Sequence, residues 1–206
     1  MLLGPEDLDA FERCIAVGGV ALFPADTVYG LATEPDSKQG VRRIWAIKGR
    51  APDKPSAVMF FSLDLALEAL PELGPRVRGA VARLLPGALT LLLPNPARRY
   101  PLAGGPVPER LGLRVPALEG PIAPLAAISW PVLQSSANLT GGREARRIDE
   151  VDPAIRLGVD AVLDAGELPG TPSTVVDLTA YESDGTLTVL REGAVAEEDV
   201  RRALVA

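Results

Sequence analysis

Lys48, Arg50, Lys54, Arg114 and Arg191 are five cations, each beside a boundary between a regular apolar run and a loop. Hydroxyls and one amide share those boundaries: Thr27, Thr90, Ser135, Ser136, Ser173 and Asn138. As a set these side chains suit a ligand that carries a triphosphate and a carboxylate, because each is a donor or a positive charge. The lysines add to this. Arginine supplies 18 of the 21 basic residues, and two of the three lysines, Lys48 and Lys54, stand six positions apart. A compact ammonium there fits a phosphate point contact in a crowded site. Taken singly, each has a plainer reading. The Lys48/Arg50/Lys54 group could be a solvated helix end, and Ser173 and Thr90 could serve turns. Asp26 could orient its own loop or meet a substrate, and Tyr29 reads as packing.

The residues that are missing narrow the chemistry further. The sequence has no histidine and one cysteine, Cys14. A Ser-His-Asp triad, a histidine-ligated zinc, a thiolate cluster and an intrachain disulfide are all excluded. Neither a Gly-x-x-x-x-Gly-Lys-Ser/Thr loop nor a Gly-x-Gly-x-x-Gly turn after a strand occurs, so a nucleotide site must be assembled from dispersed side chains. The net charge of −6 argues against a general nucleic-acid-coating surface. Hydrophobic residues form 47% of the chain, enough for a core, yet the apolar runs fall far short of the ~20 residues that span a bilayer. The N-terminus lacks a basic start followed by an apolar stretch, so a cytoplasmic protein without membrane attachment is expected.

The elements that must position these residues alternate between strand-like and helix-like, as in an α/β or α+β fold. Leu8, Phe11 and Ile15 predict a first helix stopped by Gly18-Gly19. A buried strand over 20–23 leads to a polar turn over 25–30. Asp36 and Gln39 have capping-box spacing, predicting a helix to about Lys48. A charged loop over 48–55 follows, then a strand over 57–61, helices over 62–70 and 75–85, and a strand over 89–93. Residues 94–110 read as a surface loop, 111–115 as a strand with Arg114 near its end, and 121–128 as a short helix. Residues 131–134 lead into Ser135-Ser-Ala-Asn138, and the polar stretch 141–147 reads as mobile. Strands over 161–163, 174–178 and 186–190 and a helix over 197–204 complete the chain. The length of 206 residues predicts one domain over 1–206.

Several of these segments together carry a family resemblance. Phe23-Pro-Ala-Asp-Thr-Val-Tyr-Gly-Leu31 is similar to the Pro-Thr-Asp/Glu-Thr-Val-Tyr-Gly-Leu signature of YrdC-like proteins. Lys48-Gly-Arg-Ala-Pro-Asp-Lys-Pro55 resembles their Lys-x-Arg-Pro-x-x-Lys/Asn-Pro, and Leu85-Pro-Gly-Ala-Leu-Thr90 their Trp/Tyr-Pro-Gly-Pro-x-Thr. Leu113-Arg-Val-Pro116, Ser135-Ser-Ala-Asn-Leu-Thr-Gly141, Pro172-Ser-Thr-Val-Val-Asp177 and Leu190-Arg-Glu-Gly193 resemble four further elements in the family's order. Four positions depart from the pattern. Ala25 replaces a threonine, Ala51-Pro52 shifts a proline by one, Met59 stands where some members have histidine, and Arg143-Glu-Ala-Arg-Arg147 replaces a Pro-Ser-Pro-Thr-Thr-like loop.

The resemblance implies a single twisted mixed-sheet domain with helices around a concave cavity, in the short, single-domain form. It also implies ATP-dependent synthesis of threonylcarbamoyl-AMP from L-threonine and bicarbonate, for threonylcarbamoyladenosine in tRNA. Carried over by position, Lys48, Arg50 and Lys54 would contact the ATP phosphates, Lys48 and Arg50 as the catalytic cations. Asn138 and Arg191 would complete the nucleotide site, with Asn138 near the carbamate. Arg114, Ser136, Thr27 and Ser173 would hold threonine. ATP enters as a substrate, and Mg²⁺ would be held mainly through its phosphates, with no protein metal site. The implied partner is the machinery that transfers the group to tRNA, with direct RNA binding at most weak. Two other readings stay open: an RNA- or ribosome-binding protein using the same cavity, and a paralogue that makes a different carbamoyl-adenylate.

Overall fold

A computed structural model describes residues 3–51 and 54–205, so Pro52 and Asp53, and with them the shifted proline, lie outside the described residues. In chain order the first half contains α1 (Pro5–Ala16), β1 (Ala21–Pro24), β2 (Tyr29–Thr33), α2 (Lys38–Lys48), β3 (Ala57–Met59), α3 (Leu63–Ala69), α4 (Pro75–Leu84) and β4 (Leu89–Pro94). The second half contains α5 (Pro101–Gly104), β5 (Arg110–Arg114), β6 (Val132–Ser136), α6 (Pro153–Gly158), β7 (Ala161–Val162), β8 (Thr174–Asp177), α7 (Tyr181–Asp184), β9 (Thr188–Arg191) and α8 (Glu197–Val205). Short 3₁₀ segments lie at Gly120–Ala127 and Ile148–Glu150.

The strands form one twisted, mixed nine-stranded sheet in the order β7-β1-β2-β6-β3-β5-β4-β8-β9. β7/β1, β3/β5 and β4/β8 are parallel pairs, and the other neighbours are antiparallel. The fold is therefore the mixed α/β sheet expected, with helices packed on it.

Side-chain alternation divides the sheet's two faces. In β4, Leu89, Leu91 and Leu93 are buried, whereas Thr90 and Leu92 point the other way, into a cavity. In β5, Leu111 and Leu113 enter the core, and Gly112 and Arg114 face the cavity. The core face is sealed by α1, whose Phe11 meets Phe23 of β1 and Phe61 at ring separations of 5.4 and 6.0 Å. Tilted and edge-on rings at these distances are the favoured aromatic arrangements. Cys14, on the same helix, is buried; burial and the nearby Asp160 charge raise its thiol to about 11, against the weaker pull of Arg43.

Some boundaries differ from expectation for identifiable reasons. The segment read as a turn over 25–30 already contains the start of β2, a central strand paired with β1 and β6. Gly30 hides it in the sequence. A Cβ there would lie 2.9 Å from Gln134 Nε2, so the strand needs a glycine for close packing. Helix α2 is capped by Ser37 rather than Asp36, its hydroxyl accepting from the Gly40 N–H at 3.1 Å. Within 94–110 the buried Asn95 ties the chain to itself, donating to Arg99 O at 2.9 Å and Pro108 O at 2.8 Å. That anchoring allows the short helix α5 to form there. The 141–147 stretch is fastened too: Tyr29 N donates to Ala145 O at 2.9 Å and Leu168 N to Arg146 O at 2.8 Å.

Candidate active site

The cavity, about 310 Å³, lies over the side of the sheet running from β6 to β9. Its walls include Thr27, Arg50, Thr90, Arg114, Ser135, Ser136, Ser173 and Arg191, together with Gln134 and Glu144. Three of the five expected cations therefore converge, with all the expected hydroxyls. Lys48 lies immediately behind Ser136, and Lys54 is exposed on the loop outside the lining residues.

Helix α2 positions the first cations. It ends at Gly49, whose φ of 56° is the left-handed conformation that glycine adopts readily. The Arg50 N–H then returns to Trp45 O at 2.8 Å, and this reversal aims Arg50 back across the cavity. Arg50 donates through Nη1 to Ser135 Oγ at 2.8 Å and through Nη2 to Pro55 O, while its Nε is buried without a partner. Burial lowers its pKa from the ordinary arginine value.

Lys48 is the last residue of α2 and only 3% exposed. Its ammonium donates to Ser136 O, to Asn138 O at 2.7 Å and to Asn138 Oδ1 at 3.1 Å. All three ammonium protons are thus engaged by the Ser136–Asn138 turn. The same turn is tied from the other side, Thr140 N donating to Lys48 O at 3.0 Å. Burial first, and then the Arg50 charge, bring Lys48 down to about 8, with Glu144 opposing them. Asn138 connects the turn further: its Oδ1 accepts from Ser136 Oγ at 2.6 Å, and its Nδ2 donates to Gly142 O at 2.6 Å.

Arg114 is the most deeply placed charge. Its Nη2 donates to Asp26 Oδ1 at 2.6 Å, and both side chains are nearly sealed from solvent, 4% and 5% exposed. Thr27 Oγ1 lies 3.4 Å from the same nitrogen, Ala117 N donates to Asp26 Oδ2 at 3.2 Å, and Arg114 Nε has no partner. Burial raises the Asp26 carboxyl and lowers the Arg114 guanidinium, and each partner's charge opposes the shift of the other. Asp26 therefore orients Arg114, a role the sequence left undecided. Tyr29 packs as expected, with a hydroxyl that accepts from Ala165 N at 3.1 Å and lies 2.8 Å from the Gly166 carbonyl.

On the far wall, Arg191 at the end of β9 donates to Ser173 O at 2.7 Å, and Ser173 Oγ lies 2.8 Å from Thr90 Oγ1. Gly193 permits this approach, since a Cβ there would fall 2.2 Å from Pro172 O. Gln134 and Glu144 are among the lining residues that had no sequence signal. Gln134 becomes visible only when its alternation with Ser136 in β6 is known, and Glu144 lies in a stretch that reads as polar surface. Among the described residues no group of three or more His, Cys, Asp or Glu side chains could hold a metal ion. No helix among them is long and apolar enough to cross a membrane.

An arginine fixed by a buried carboxylate, hydroxyls beside it and two further arginines across the cavity can bind a carboxylate and a polyphosphate together. Known proteins carry the same arrangement of segments. The family model Sua5/YciO/YrdC, described as telomere recombination, matches residues 13–193. The threonylcarbamoyl-AMP synthase of Xanthomonas campestris pv. campestris is 34% identical over 168 residues, 80% of this chain and 88% of that protein. The structure of P. abyssi Sua5 complexed with L-threonine is similar at TM-score 0.79 and 28% identity, covering 96% of this chain and 56% of that one. E. coli YciO is similar at TM-score 0.77 and 25% identity, covering 95% and 93%. The chain thus spans little more than half of the Sua5 protein and most of the others. With the matching model extending from α1 past β9, the chain belongs to the Sua5/YciO/YrdC family.

Proposed function

We propose that this protein is a threonylcarbamoyl-AMP synthase: an ATP-dependent enzyme that joins L-threonine and bicarbonate and adenylylates the product. The observation that carries the reading is the convergence of Arg50, Arg114 and Arg191, with several hydroxyls, on one cavity. Arg114, with Thr27 beside it and Ser136 and Ser173 in the same cavity lining, suits the amino-acid carboxylate and hydroxyl. Arg50 and Arg191 suit the phosphates, and Lys48 adds charge from behind Ser136. Lys54, exposed beside the same loop, is available to the outer phosphates. The resemblance to a synthase over 88% of that protein's length supports the same assignment.

The reaction needs no protein nucleophile, which accords with a chain that has no histidine. The threonine nitrogen bonds to the carbon of bicarbonate, water leaves, and a carbamate forms with release of one proton. A carbamate oxygen then attacks the α-phosphorus of ATP, the bond from that phosphorus to the bridging oxygen breaks, and pyrophosphate departs with the electron pair. Positioning and charge neutralisation supply most of the rate. Arg50 and Lys48 stabilise charge that grows on the departing phosphates, and Asn138 holds the turn beside the carbamate. Magnesium would arrive with ATP and be held mainly through its phosphates, where it would neutralise their charge. The adenylate is a mixed anhydride, suited to a transferase that passes the threonylcarbamoyl group to adenosine in tRNA. That role belongs in the cytoplasm, and the nine-stranded sheet supports reading the chain as one domain.

Pyrophosphate release is the test. It is expected only when ATP, L-threonine and bicarbonate are all present, and Lys48→Ala should abolish it. Equal release with serine or glycine in place of threonine would remove the threonine assignment.

A further inference from the structure

Glu144 introduces a carboxylate among the arginines and hydroxyls that line the cavity. Its Oε2 is shielded from solvent and has no hydrogen-bond partner, and it forms no ion pair among the described residues. Its charge nevertheless acts on both Lys48 and Arg114. A shielded carboxylate oxygen left unmatched in a cavity that three arginines also line is costly. The backbone prevents a larger rearrangement. Gly142 O is held by Asn138 Nδ2 at 2.6 Å, Ala145 O by Tyr29 N at 2.9 Å, and Arg146 N by Glu150 Oε2 at 2.9 Å.

The missing partner is defined by chemistry. Phosphates and bicarbonate are anions and would be repelled. The amino-acid substrate is a zwitterion, and its carboxylate has a counter-charge in Arg114. Its ammonium needs an acceptor in the same cavity. Asp26 is already committed to Arg114 and Ala117. Glu144 is the lining carboxylate that is not committed. We infer that Glu144 receives the α-ammonium group of the amino-acid substrate, fixing that nitrogen opposite the end of the molecule held by Arg114. This assignment rests on the synthase reading above and adds a residue that binds the attacking nitrogen before it loses its proton.

Calorimetric titration of the full chain separates the possibilities, using L-threonine, ATP with Mg²⁺, and 3-hydroxybutyrate, which is threonine without its ammonium. Glu144→Gln should weaken threonine by about 10- to 100-fold, the worth of a charge-assisted contact. The same variant should bind 3-hydroxybutyrate at least as tightly as the wild type does, because a repelling carboxylate is gone, and undiminished ATP affinity would report an intact fold. Glu144→Asp, which keeps the charge on a shorter stem, should fall between them for threonine and match the wild type for 3-hydroxybutyrate. Equal threonine affinity in wild type and Glu144→Gln would overturn the inference while leaving the synthase reading intact. So would equal weakening of both acids, or a raised Mg²⁺ requirement for ATP with threonine binding unchanged. Absence of threonine binding by the wild type would overturn the synthase reading itself, and the role of Glu144 with it.

Discussion

Replacing Asp26 by asparagine tests whether Arg114 is held ready for an anion. The change is nearly isosteric and leaves an oxygen for the Ala117 N–H, but it removes the only charge that, among the described residues, lies within bonding distance of a guanidinium that is 4% exposed. Breaking a buried pair on one side leaves an unmatched charge, at a cost of about 3–5 kcal/mol. For a chain of this length, each kcal/mol moves the melting temperature by about 2–4 °C, so Asp26→Asn should melt about 6–20 °C below the wild type. Thermal unfolding followed by circular dichroism measures this directly. Two further measurements make the reasoning specific. Asp26→Asn/Arg114→Met, which removes both charges, should recover at least half of the loss, because the dominant cost is the stranded charge rather than the missing contact. L-Threonine should raise the melting temperature of Asp26→Asn by more than it raises that of the wild type, its carboxylate replacing the lost partner. A double variant whose loss equals the sum of the two single losses would refute the argument.

Lys48, lowered to about 8, should give pyrophosphate and ATP binding an alkaline limit. The protonated form attracts the anion, so affinity should fall as pH rises through about 8, and Lys48→Met should bind weakly with no inflection there. Gly193→Ala should weaken threonine and ATP binding and lower stability, because its Cβ would meet Pro172 and Ser173 backbone at 2.2 and 2.7 Å; calorimetry and melting curves check both. Leu91→Ala, on the opposite face of β4, should cost about 2–5 kcal/mol in denaturant unfolding yet leave the ligand affinities of the folded protein unchanged.

Much of the site is legible in the sequence because its residues stand at the ends of apolar runs. Arg114 interrupts such a run, and Ser135, Ser136 and Ser173 border others, so the fold had little freedom to scatter them. Two kinds of information were not local. The first is partnership: nothing near Lys48 in sequence foretells that the Ser136–Asn138 turn would surround its ammonium. Nor does any neighbour announce that Asp26 would reach across to Arg114. The second is the shape of segments whose structure comes from distant contacts. β2 is concealed by Gly30, whose value lies in the room it leaves for Gln134, and the 94–110 segment depends on the buried amide of Asn95. Glu144 is polar among polar neighbours, and distant hydrogen bonds such as those from Asn138 to Gly142 and from Tyr29 to Ala145 hold its segment at the cavity. Strand and helix periodicity thus located the scaffold, while tertiary hydrogen bonds decided the details of its loops.

The position of Cys14 gives the molecule a built-in reporter. A sulfhydryl that is both covered by the packing of α1 and held protonated to about 11 is slow to meet maleimides or disulfide reagents in the native state. Modification must wait for α1 to lift from the sheet. The pace of alkylation in gentle conditions therefore clocks that opening without any engineered probe, and ligands that bind in the cavity on the other face can be ranked by how far they slow the clock.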